Sequence, residues 1–215
     1  MKIGVFDSGV GGLSVVHDIE RAMAGHHVVY RDDKLNLPYG NKSREQLLQI
    51  VTPILQSMVQ DGCQIIIIAC NTVTTTIIDD LRQVIDVPLV GMEPMIKPAA
   101  EMTKTGKIAV CATPATLDSS RYAWLKKTYA ADIEVLEPDC NDWAMMIESE
   151  ALDHQKIQDR INEVCERGAD IIVLGCTHYH WIQEEINDVA VGRATVIQPI
   201  EPVIEQLNKV IQQLK

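Results

Sequence analysis

Ile65-Ile66-Ile67-Ile68-Ala69-Cys70-Asn71-Thr72 and, about half the chain further on, Ile171-Ile172-Val173-Leu174-Gly175-Cys176-Thr177-His178 decide the fold. Each is a short apolar run that reads as a buried strand, closed by a small residue, a cysteine and a polar pair of the helix-capping kind. The first run continues through Val73-Thr74-Thr75-Thr76-Ile77-Ile78, so propensity alone would draw a single strand. Strands usually hold about 5–6 residues. The reading therefore places a break at Cys70-Asn71, with Asn71 or Thr72 capping a helix through Gln83 against the β propensity of its side chains. The likeness of the two stretches predicts two related halves, each presenting a thiol at the carboxyl end of a strand. Open α/β sheets bind ligands at that edge, so two facing lobes would enclose one cleft between two cysteines.

Working outward, the runs Ile3–Phe6, Val28–Tyr30, Ile65–Ala69, Pro88–Val90, Ile108–Cys111, Ile133–Leu136, Ile171–Leu174 and Thr195–Ile197 read as strands. Amphipathic stretches such as Glu45–Val59, Asp118–Thr128, Gln155–Arg167 and Glu201–Leu214 read as helices between and after them. This alternation predicts an α/β fold of two pseudo-symmetric lobes, each a mostly parallel sheet flanked by helices, with the site in the cleft between them.

The chain has 215 residues, a formal net charge of −11, 47% hydrophobic and 23% charged residues. That is a globular composition. The acidity argues against a nucleic-acid partner, which needs basic residues to neutralise phosphates. An anionic ligand would have to be met by helix N-termini and backbone N–H groups. The sequence opens on Lys2-Ile3-Gly4-Val5-Phe6 without the pattern of a secretory signal, and its longest apolar run is too short to span a membrane, so a cytoplasmic location is expected. Six cysteines in that setting read as reduced thiols.

The first loop, Asp7-Ser8-Gly9-Val10-Gly11-Gly12, offers glycines for close backbone approach to a ligand and N–H groups for an anion such as a carboxylate. It lacks the third glycine of a dinucleotide fingerprint, where Ser14 stands, and the Gly-Lys-Ser/Thr of a phosphate loop. The loop Asp32-Asp33-Lys34-Leu35-Asn36-Leu37-Pro38-Tyr39-Gly40 is long and polar, as binding loops often are. Cys63, Cys111, Cys140 and Cys165 fit the core. Cys70 and Cys176, at strand ends beside helix N-termini, are expected to have lowered pKa values and to supply thiolate near neutral pH. Cys176 with His178 is too small a set for zinc, but it would also serve a nucleophilic cysteine enzyme.

With these residues assembled, the chain resembles the glutamate racemases over nearly its whole length. The matching pieces are Phe6-Asp7-Ser8-Gly9-Val10-Gly11-Gly12-Leu13-Ser14, Asp33 with Pro38-Tyr39-Gly40, Ala69-Cys70-Asn71-Thr72, and Gly175-Cys176-Thr177-His178-Tyr179. Aspartate racemases usually read differently in the first loop and around the second cysteine. The resemblance implies residues 1–95 with 197–215 as one lobe, completed by the C-terminal helix, and 96–196 as the other. It implies cofactor-independent and metal-free racemisation of an acidic amino acid, most simply glutamate, by two thiols on opposite faces of the α-carbon. By position Cys70 and Cys176 are the acid–base pair, assisted by Asp7, His178 and Glu148, while Ser8, Pro38, Tyr39, Gly40, Asn71, Thr72 and Thr177 hold the substrate. A homodimer, no membrane partner, and supply of D-glutamate for cell-wall peptidoglycan are implied in the same way. Asn36, His180, Gln198 and the interior of Cys140–Glu148 depart from the family pattern. Aspartate racemisation, a Cys–His hydrolase or lyase, and a non-catalytic amino-acid binder are the other functions these residues allow. The chemistry agrees with the resemblance: inverting a stereocentre needs a base on one face and an acid on the other, and two equivalent groups let it run both ways.

Overall fold

The computed structural model describes residues 1–214. Among the described residues, eight strands form two four-stranded, all-parallel sheets. The first contains β1 (Lys2–Phe6), β2 (His27–Arg31), β3 (Ile65–Ile68) and β4 (Leu89–Gly91), in the order β2-β1-β3-β4. The second contains β5 (Lys107–Ala112), β6 (Glu134–Leu136), β7 (Ile171–Gly175) and β8 (Thr195–Ile197), in the order β6-β5-β7-β8. The two orders are one connectivity used twice, which confirms the pseudo-symmetry read from the cysteine stretches. All eight expected strands are present.

The helices are α1 (Gly12–Ala22), α2 (Arg44–Gln60), α3 (Asn71–Val84), α4 (Ile96–Met102), α5 (Pro114–Leu117), α6 (Ser120–Tyr129), α7 (Trp143–Glu148), α8 (His154–Glu166), α9 (Gln183–Ala190) and α10 (Ile200–Gln213). Each sheet has apolar clusters on both faces, as parallel sheets require. Ile200, Val203, Leu207 and Ile211 of α10 recur on one helical face and pack with Ile3, Val5, Ile65 and Ile67 of the first sheet. Lys215, the last residue of the expected first lobe, lies outside the described residues.

The β-branched run after Cys70 is helical, so burial overrides propensity there. Val73, Ile77 and Leu81 bury one face, and the Thr75 hydroxyl donates to the Asn71 carbonyl at 2.9 Å. The cap differs from the expectation. Cys70 itself takes the N-cap position, in extended conformation, and its carbonyl accepts the Thr74 N–H at 3.0 Å. Asn71 and Thr72 are already inside the helix, because the strand stops at Ile68 and leaves two residues to turn the corner. The second half does the same with Cys176, followed by a 3₁₀ turn over Thr177–Ile182.

Candidate active site between the lobes

In the strand order shared by both sheets, the switch point lies between the first and third strands, β1 and β3 in one lobe and β5 and β7 in the other. Ser8 and Cys70 leave the first pair; Thr113 and Cys176 leave the second. All four line one cavity of about 260 Å³. So do Pro38, Tyr39, Gly40, Asn71, Thr72, Glu148, Thr177 and His178, and no lysine or arginine is among the lining residues.

Asp7 is the one expected site residue set behind the cavity. It is fully buried, its Oδ2 accepts the Gly12 N–H at 2.7 Å, and Thr177 Oγ1 donates to it at 3.2 Å from the other lobe. Burial, only partly offset by nearby His178, raises its pKa.

Cys70 and Cys176 are 5% and 7% exposed, within the 0–8% range of the four core cysteines. Position on the cavity, and not burial, separates them. The N–H groups of Val73 and Thr72 point at Cys70, and those of His178 and Tyr179 at Cys176. These favour thiolate, yet burial outweighs them and pushes both thiols up, Cys70 to about 12. The expectation of a lowered pKa is therefore corrected. Both cysteines are thiols in the free cleft, since it offers sulfur anions little solvation.

Each thiol has its own neighbours. Cys70 donates towards Ser8 Oγ at 3.6 Å. Cys176 Sγ lies 3.8 Å from His178 Nδ1, and His178 Nε2 lies 2.8 Å from Glu148 Oε1. Glu148 Oε1 also accepts the Val10 N–H at 2.5 Å, so it acts as an acceptor on both sides. This assigns the imidazole proton to Nε2 and leaves Nδ1 free to accept from Cys176.

The first loop does bind carboxylates, but they are the protein's own, Glu148 on Val10 and Asp7 on Gly12. Its glycines admit the second lobe instead of a ligand: a Cβ on Gly11 would stand 2.6 Å from the His178 backbone nitrogen, and one on Gly9 would run into Glu148. Asn71 remains unsatisfied. It is 2% exposed, and neither Nδ2 nor Oδ1 has a partner, which marks a buried amide waiting for a ligand.

Thr113 escapes the local motif reading. Pairing of Phe6 with Ile68 and of Cys111 with Leu174 makes it the counterpart of Ser8, so the internal symmetry could have found it. Its hydroxyl lies 2.9 Å from that of Thr72 across the cleft.

The profile of the Asp/Glu/hydantoin racemase family matches residues 3–207. The chain belongs to this family. A glutamate racemase of Herpetosiphon aurantiacus is 36% identical over 97% of this chain and 84% of its own length. Among solved structures, Escherichia coli glutamate racemase in complex with L-glutamate and the activator UDP-MurNAc-ala superposes with a TM-score of 0.85 at 27% identity, over 98% of this chain and 82% of that one. Glutamate racemase from Francisella tularensis in complex with D-glutamate gives 0.82 at 26% identity, over 99% and 81%. An aspartate racemase from Picrophilus torridus, at 19% identity and a TM-score of 0.67, shares the fold. The architecture expected from the sequence is thus the family's.

Proposed function

We propose that this racemase interconverts L- and D-glutamate, with Cys70 and Cys176 as the two proton-transferring groups and no pyridoxal or metal cofactor. The observation that carries the reading is that equivalent strand ends of two like sheets place one thiol each in a single cavity. Full-length similarity to glutamate racemases supports glutamate over aspartate. The two lobes are taken as residues 1–95 with 197–215, and 96–196.

One sulfur, as thiolate, takes the α-proton: the C–H bond breaks, an S–H bond forms, and the electron pair spreads into the carboxylate. The opposite thiol gives its proton to the other face and is left as thiolate. The product is the mirror image, and the two sulfurs have exchanged protonation states. On the Cys176 side, His178 Nδ1 takes the thiol proton and Glu148 steadies the imidazolium. On the Cys70 side, Ser8 is the hydrogen-bond partner and Asp7 assists from behind the cavity. Asn71, Thr72, Thr113 and Thr177 hold the carboxylates with neutral donors, which suits a cavity without cations. Burial of both thiols makes water exclusion part of the mechanism.

A cysteine hydrolase would find its own line in Cys176, His178 and Glu148. It would not need Cys70, so activity surviving in Cys70→Ala would favour it. Assembly as a homodimer, and supply of D-glutamate to peptidoglycan synthesis in the cytoplasm, belong to the same proposal.

The test is proton NMR of L-glutamate and, separately, L-aspartate in heavy water with no added cofactor. Loss of the α-proton signal of glutamate with D-glutamate appearing is expected. Turnover of aspartate alone would transfer the assignment to aspartate, and an unchanged signal in both would overturn it.

A further inference from the structure

Val10 is held through both of its backbone groups by side chains of the opposite lobe. Its N–H donates to Glu148 Oε1 at 2.5 Å, and its carbonyl accepts the Trp181 Nε1–H at 3.2 Å beside the Leu13 N–H of its own loop at 3.1 Å. Glycines on either side leave no Cβ in the way. Beside the clasp, Ser14 Oγ lies 3.2 Å from Nδ1 of His180, the residue before Trp181. Trp181 is 55% exposed, so this large aromatic side chain gains little from burial, and its nitrogen is spent on the loop carbonyl.

We propose that Trp181 is a positioning residue for proton transfer at Cys176, a role that rests on the racemase reading above. Together with the Leu13 N–H, which donates to the same Val10 carbonyl at 3.1 Å, it anchors the loop around Val10 to the second lobe and so sets the position from which the Val10 N–H reaches Glu148. That N–H holds Glu148, Glu148 lies 2.8 Å from His178 Nε2, and His178 Nδ1 faces Cys176. The line joins the lobes through the first-lobe loop and back again, so it exists only when the cleft is closed. Trp181 touches neither the cavity nor a thiol. Its effect is on kcat, through the placement of Glu148, and not on substrate affinity.

The experiment compares the parent with Trp181→Phe, which keeps an aromatic ring and removes the donor. Hydrogen–deuterium exchange of the peptide containing Val10 is the first readout and does not depend on turnover. Faster exchange there, with the β1 and β3 amides unchanged, is expected in Trp181→Phe and also in Glu148→Gln. The second readout is steady-state kinetics with glutamate. A fall in kcat of about threefold to tenfold at nearly constant KM is expected, the range that losing one N–H···O bond of about 0.7–1.4 kcal/mol produces. Parent exchange at Val10, or parent kcat, in Trp181→Phe would overturn the positioning role. A parent protein that does not move the α-proton at all would overturn the racemase reading instead, and the exchange data would still judge the clasp.

Discussion

Cys70 and Cys176 stand at the same place in two copies of one topology, each turning the corner after the third strand of its sheet and each occupying the N-cap position of the turn that follows. The residues around them are not symmetric. The counterpart of Asp7 is Ala112, and the counterpart of His178 is Thr72, as the strand registers and the aligned cysteines show. Each thiol is thus provided with a different helper.

Because inversion needs a group on each face, neither thiol can replace the other. Cys70→Ala and Cys176→Ala are each expected to lower racemisation by at least about a hundredfold, the lower end of what positioned acid–base groups contribute. Circular dichroism of the glutamate pool reads the rate. A single variant that turns over at the parent rate would refute the two-thiol mechanism.

Burial pushes both thiols above their ordinary value, Cys70 to about 12. In the free enzyme the thiolate fraction therefore keeps growing through the neutral and mildly alkaline range, so kcat/KM for glutamate should climb from pH 6.5 to 8.5 without levelling (roughly the range in which an unperturbed thiol would begin to ionise). The stability effect has the opposite sign. Folded thiols hold protons that unfolded ones release, so stability is intact below the unfolded value of 9.0 and declines as pH rises towards the folded values. A kcat/KM plateau already reached at pH 7 would mean a preformed thiolate.

Asp7 is a fully buried carboxyl whose pKa is raised by that burial. Its destabilising effect is absent below the unfolded value of 3.8, where both states are protonated, and grows as pH rises through the folded value. Asp7→Asn can keep both contacts, accepting from Gly12 and donating to Thr177. The variant should melt higher than the parent at pH 8, with the gap closing as pH falls, while kcat drops. Thermal melts at several pH values check this, and a lower Tm at pH 8 would show that the Asp7 charge stabilises the fold.

The fold was legible because its signals are local: apolar runs of strand length, and a cysteine turn that occurs twice. Most of the cavity was legible for the same reason, since motif residues at strand ends converge in a doubly wound sheet. What escaped depends on the other lobe. The Gly9-Val10-Gly11 loop looks like a ligand cradle until Glu148 and His178 are placed against it. The cysteines look activated because sequence reveals helix N-termini, whereas the desolvation that outweighs them comes from burial in the folded chain. Trp181 and Thr113 belong to no local pattern; one is seen only across the lobes and the other only through the symmetry.

Asn71 has a buried amide with no partner, an arrangement that costs the free protein and is relieved by ligand. Asn71→Ala should leave Tm unchanged or higher and weaken glutamate binding about tenfold, the effect of one or two buried hydrogen bonds. Calorimetry in a Cys70→Ala background separates binding from turnover. Unchanged affinity would place the substrate elsewhere in the cavity.

Gly11 gives the most direct test of how closely the lobes must approach. Its φ of −52° and ψ of −40° are helical and suit alanine as well as glycine, so Gly11→Ala adds no backbone strain. The added methyl would stand 2.6 Å from both the His178 backbone nitrogen and Thr177 Oγ1. Backbone cannot yield as a side-chain tip can, so the turn after Cys176 must move away, carrying His178 with it. A displacement of about 1 Å at reacting groups can cost on the order of a hundredfold in rate, so kcat/KM for glutamate should fall between about ten- and a hundredfold while each lobe keeps its secondary structure. Parent-level kcat/KM in Gly11→Ala would show that the site works with the lobes further apart, and would remove the steric basis for the Val10 clasp as well.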